Sequence, residues 1–160
     1  MPRIYLSKLT MLSQKAKYAL QALSYLAEHY DDGEPVLIGK ISRERHIPVK
    51  FLETILCELK KKEILTSTRG RNGGYRLSVD PATLPVASII RIADGPVALL
   101  SCVSINFYKR CDNCHQRICG INRVMAEARE AILNILENRS LKDIVDVQQL
   151  VIRRDDLCSF

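Results

Sequence analysis

The sequence has no Trp, only 3 Phe and 6 Tyr in 160 residues, and so little aromatic surface that a large stacking or apolar recognition face is not expected. No run approaches the roughly 18 consecutive apolar residues of a membrane span, and the first ten residues, MPRIYLSKLT, lack the apolar core of a secretory signal. There is no Ser, His and Asp constellation, no Gly-rich phosphate loop and no convergent pair of carboxylates, so an enzyme is not expected. Internal repeats and low-complexity linkers are also lacking. What remains is a reading of a cytoplasmic, non-membrane protein, long enough to bury one core.

The charge is concentrated. Residues 40–76 carry ten Lys and Arg against four Glu and no Asp, a net of +6 that equals that of the whole chain. A basic segment in an otherwise balanced protein is the electrostatic footprint of a phosphate-backbone binder. Cysteine is concentrated too, with Cys102, Cys111, Cys114 and Cys119 within eighteen positions and only Cys57 and Cys158 outside. In a reducing compartment clustered thiols point to metal or redox chemistry before structural disulfides.

The patterning predicts a mainly α-helical fold with one small β-hairpin. Ser13 is a suitable N-cap, and Ala16, Ala19, Leu20, Leu23 and Leu26 follow at helical spacing toward Tyr30. A short helix over 39–46 is followed by Pro48, placed to open a third helix whose buried face is Leu52, Ile55, Leu56 and Leu59. Two helices joined at Ile47 make a helix-turn-helix pattern, with Val49, Lys50, Phe51, Glu53 and Thr54 at the DNA-facing start of the second. Runs over 64–69 and 75–77, the first ending on Arg69 and the second opening on Tyr75, flank Gly70-Arg71-Asn72-Gly73-Gly74, and Asn72-Gly73 predicts a hairpin that reads as a basic wing. Arg69 and Arg71 suit a minor groove; Gly73 and Gly74 either let the backbone approach phosphates or only turn the hairpin.

A short apolar helix over 84–93 leads to the cysteine loop. Beyond it Ile121, Val124, Met125, Ala128, Ile132, Ile135 and Leu136 form a stripe near a 3.5-residue period, a face for a second copy of the chain. Ser140 with Asp143 resembles a capping box for a last helix over 141–151. The expected division is an extension over 1–12, a winged helix-turn-helix head over 13–98, a sensor loop over 99–120, and a dimerisation helix with C-terminal segment over 121–160.

Thiolates at Cys102, Cys111, Cys114 and Cys119 suit zinc and iron–sulfur clusters alike, so spacing does not choose the metal; His115 is a possible nitrogen donor. Leu12-Ser13, Tyr18-Ala19-Leu20, Phe51-Leu52-Glu53, Arg69-Gly70, the run Gly73 to Leu77, and then the cysteine loop before a helix together resemble the Rrf2 family of bacterial transcription regulators. That resemblance implies a homodimer with winged helix-turn-helix heads and long dimerisation helices, and a dimer predicts a near-palindromic DNA operator. With the cysteine loop between head and pairing helix, the chain is read as a repressor with an iron–sulfur cluster of [2Fe-2S] or [4Fe-4S] type as cofactor. The family's cluster-binding members imply a ligand role for Cys102, one of Cys111 and Cys114, and Cys119. Two known fourth-ligand schemes do not carry over, because Asn122 stands where one branch has His and Lys17 where another has an acidic residue. Four cysteines, or a residue of the partner chain, are the alternatives. A cluster-free regulator of sulfur metabolism, or a thiol redox sensor, is the competing reading, and a zinc-binding structural or thiol–disulfide protein is the third.

Overall fold

A computed structural model describes residues 12–70, 73–112 and 118–157, with side chains described as far as residue 151. Among the described residues six α-helices and one two-stranded sheet follow in the order α1 (Gln14–Glu28), α2 (Ile38–Arg45), α3 (Val49–Lys61), β1 (Leu65–Thr68), β2 (Gly74–Leu77), α4 (Val86–Asp94), α5 (Gly120–Glu137) and α6 (Leu141–Leu157). No described helix is long and apolar enough to cross a membrane.

The head is built around α1. Ser13 caps it as expected, accepting from the Ala16 N–H at 3.1 Å, and the Ser13 N–H donates to Asp94 at the end of α4 at 2.8 Å. Ala19, Ala22, Leu23 and Leu26 of α1 join Ile41, Ile47, the α3 face Leu52, Ile55, Leu56 and Leu59, and Ile89 of α4 in one core. Each fully buried Leu or Ile of this set contributes on the order of 1.5–3 kcal/mol. The turn between α2 and α3 holds its shape through His46 in the left-handed region (φ 52°) and through the Ser42 hydroxyl, which donates to the Ile47 carbonyl at 2.6 Å.

The hairpin expected from the runs over 64–69 and 75–77 is present. Thr68 pairs with Gly74 and Leu65 with Leu77, so the connection spans residues 69–73. Tyr75 sets this register by pairing a second time, across the hairpin's other edge. The Val36 N–H donates to the Tyr75 carbonyl at 2.8 Å, and the Tyr75 N–H donates back at 2.9 Å. Gly74 (φ 149°) lies so close to that edge that a Cβ there would stand 2.3 Å from the Val36 carbonyl oxygen. Its lack of a side chain serves the fold of the wing.

The last helix also departs from the expected division. Leu141 is fully buried in the head's core, and α6 packs along α1, so the chain returns to the head after α5. Backbone pairing fixes that return: the Val86 N–H donates to the Arg139 carbonyl and the Leu141 N–H to the Leu84 carbonyl, both at 2.8 Å. The capping box is present, with the Asp143 N–H donating to the Ser140 hydroxyl at 3.2 Å and the Ser140 N–H to the Asp143 carboxylate at 2.7 Å. The Ser140 backbone bond, and then its hydroxyl, hold the Asp143 carboxyl below its ordinary value.

Gly74→Ala is expected to destabilise the head by about 3 kcal/mol in denaturant unfolding, since both backbone strain and a backbone clash oppose it. Gly39→Ala, within α2 and with open space around it, is the control and should raise stability by about 0.5 kcal/mol.

Candidate nucleic-acid interface and cysteine site

On α3, Lys50, Glu53, Thr54 and Cys57 are all exposed, and their spacing places them on one outward face. Val49 is exposed as well. Phe51 is 44% exposed, yet its ring meets Tyr18 of α1 edge-on at 5.6 Å, so it also anchors the recognition helix to the head. Residue type alone does not mark Cys57, which is exposed one turn beyond Thr54; its place seven positions after Lys50 is the signal that puts it on this face.

The basic residues divide by what they already touch. Arg45 pairs with Glu28 and lies 5.1 Å over the Tyr25 ring, so it serves the joint between α1 and α2. Lys60 donates to the Ser67 hydroxyl at 2.6 Å and ties α3 to the wing. Lys15 of α1 neutralises Glu58 of α3 at 2.7 Å, removing one acidic charge from the recognition helix. Lys50, Lys61, Lys62 and Arg69 are exposed. Gly73 is buried and Tyr75 half-buried against the core, while Arg71 and Asn72 lie outside the described residues.

The cysteine site begins where α5 begins. Cys119 is the N-cap residue of α5, and its sulfur accepts from the Asn122 N–H at 3.4 Å. The side-chain amide of Asn122 donates to the carbonyl oxygen of Cys102 at 3.1 Å and to its sulfur at 3.5 Å. One residue thus holds Cys102 and Cys119 together across seventeen positions of chain. Both are half-buried, whereas Cys111 is exposed; Cys114 and His115 lie outside the described residues. Among the described residues no group of three or more His, Cys, Asp or Glu is gathered at metal-binding distance. The donor set fits a thiophilic centre in part, with two converging sulfurs and a further thiol on the connecting loop.

Of the stripe on α5, Ile121, Val124 and Ile135 are exposed at 67%, 58% and 62%, while Met125, Ala128, Ile132 and Leu136 are half-covered by their own chain. Leu133, outside the stripe as read from spacing, is the buried residue of this helix. Three large aliphatic side chains in water along one helix are a surface that calls for a partner.

Comparison with known proteins places these features in a family. The family model described as an iron-dependent transcriptional regulator, Rrf2, matches residues 12–147. An rrf2-like HTH-type transcriptional regulator of Rhodobacter capsulatus is 38% identical over 138 residues, covering 84% of this chain and 92% of that protein. The HTH-type transcriptional regulator IscR of Yersinia enterocolitica is 29% identical over 140 residues, 88% of this chain and 82% of its own. Among solved structures, CymR, the global cysteine regulator of B. subtilis, superposes with a TM-score of 0.71 at 21% identity over 85% of this chain and 96% of that one, which is a likeness of fold. With the winged head, the basic recognition segment and a match spanning both, the chain belongs to the Rrf2 family of transcriptional regulators.

Proposed function

We propose that the protein is a homodimeric repressor that binds a near-palindromic DNA operator and reports iron–sulfur status through Cys102, Cys119 and one or both of Cys111 and Cys114. The observation that carries this reading is the convergence of the Cys102 and Cys119 sulfurs on Asn122, at the start of the helix whose other residues expose the apolar face. The family's iron-dependent description supports it. A bound cluster would supply iron–thiolate bonds that break when oxidants or iron scarcity remove it. The chain's own part is to hold the thiols at the junction of head and dimer helix, where their arrangement bears on the spacing of the two recognition helices.

In the dimer Ile121, Val124 and Ile135 face the partner, and each half-site receives one α3 in the major groove, with Lys50, Glu53 and Thr54 toward base edges. Arg69 of the wing enters the adjoining minor groove.

Arg69→Ala should weaken binding to DNA by about 1–3 kcal/mol at fixed salt, with an unchanged thermal midpoint and the same dimer mass. No change in affinity removes the wing from the interface. For the thiol site, anaerobic purification with a visible spectrum and iron, sulfide and zinc determination is decisive. A coloured protein holding iron and sulfide in comparable amounts is expected. A colourless protein that takes up neither, even after reconstitution, contradicts the reading, and stoichiometric zinc without iron would make the site structural.

A further inference from the structure

The turn Ser101–Val103 that carries Cys102 is a single 3-10 turn, closed by the Val103 N–H to the Leu100 carbonyl at 3.1 Å and the Ser104 N–H to the Ser101 carbonyl at 3.2 Å. Such a turn has little strength of its own. Val103 and Ser104 are nevertheless almost fully buried, at 4% and 5% exposure, while Ile105 and Phe107 just beyond them stand above 60%. Something outside the turn holds it down.

Two side chains of α5 do so. Asn122 donates to the Cys102 carbonyl and sulfur, and the Arg129 guanidinium donates through Nη1 to the Val103 carbonyl while Nη2 pairs with Glu130. Residues 122 and 129 are seven apart, two turns of helix, and so share a face. A primary amide offers two N–H groups, so both Asn122 contacts with Cys102 can be made at once. Its nitrogen has no lone pair free for a metal, which leaves only the carbonyl oxygen able to act as a ligand atom. The Arg129 Nε is buried without a hydrogen-bond partner, a cost that the fold bears to keep the guanidinium at this carbonyl.

We infer that Asn122 and Arg129 form a two-point strap binding the Cys102 turn to α5, in which Asn122 is a hydrogen-bond donor to the Cys102 sulfur and a positioning residue, and is no ligand. The strap makes the turn and the pairing helix one mechanical unit. Displacing Cys102 then requires either breaking both attachments or moving α5 with it. The donor role rests on the proposed function for what the sulfur binds; the strap is a property of the protein alone.

The test uses full-length protein in two arms. In the first, reduced and cluster-free protein is followed by hydrogen exchange. Asn122→Ala and Arg129→Ala should each speed exchange of the Val103 and Ser104 amides roughly 3- to 10-fold, as expected for loss of one net hydrogen bond. Arg129→Lys, which keeps a donor at that place, should recover most of the protection, and α5 itself should remain as protected as in wild type. Unchanged exchange at 103 and 104 in both alanine variants overturns the strap. In the second arm, anaerobically reconstituted Asn122→Ala should hold as much iron and sulfide per protomer as wild type, with the same visible spectrum, and lose iron to a ferrous chelator several-fold faster. Reduced loading with an altered spectrum overturns the donor role and makes Asn122 a ligand. Since the first arm needs no cluster, its result stands even if the protein turns out to hold none.

Discussion

The backbone clasp between residues 84–86 and 139–141 is the constraint on which the rest of the arrangement depends. Its two 2.8 Å hydrogen bonds return the chain to the head directly after α5, so that Leu141 can fill the core and α6 can lie along α1. Without it α5 would be a trailing arm. With it, the far end of α5 is pinned to the start of α4, and Arg91 of α4 reinforces the joint by pairing with Glu137 at 2.5 Å. The near end of α5 meets the Cys102 turn through Asn122. A helix held at both ends, with Ile121, Val124 and Ile135 in water between them, is suited to passing a change at one end to whatever sits on its outer face.

Contacts within the head separate structural charges from those left for a ligand. Arg45 and Lys60 look alike in sequence to Lys50 and Arg69, yet the first pair is engaged with Glu28 and Ser67. The Lys15–Glu58 pair is a modest stabiliser at its exposure, and its larger effect is to blunt an acidic charge on the recognition helix. What remains exposed on α3 and the wing is strongly basic, which favours a polyanion by steering and by counterion release.

Helix positions are legible in the sequence because a one-sided apolar face repeats at helical spacing, buried in α1 and α3 and partly left to solvent in α5. The Ser13 cap and the Ser140–Asp143 box are legible because capping is local chemistry. So is the wing, whose two extended runs lie on either side of Asn72-Gly73, whereas the pairing of Tyr75 with Val36, almost forty residues away, is not. The last helix is ambiguous in sequence for a related reason: Leu141 and Val145 look the same whether they face a partner or the chain's own head, and both are buried within the chain, on a helix that packs along α1. For the cysteine site, Cys-x-x-Asn at 119–122 reads only as a place where a fourth ligand is missing. That Asn122 gathers two sulfurs depends on the packing of residues 101–103 against α5, which no spacing rule conveys.

Coupling between the cysteine site and the DNA-binding surface is the feature on which the proposed regulation turns. It is tested most directly by measuring the affinity of one protein preparation for a duplex selected by the protein from random sequence, after cluster reconstitution and again after a chelator treatment that would remove any cluster, at the same salt concentration. Affinities that differ by at least about 5-fold are expected, a coupling of roughly 1 kcal/mol or more. Equal affinities in the two states would contradict it.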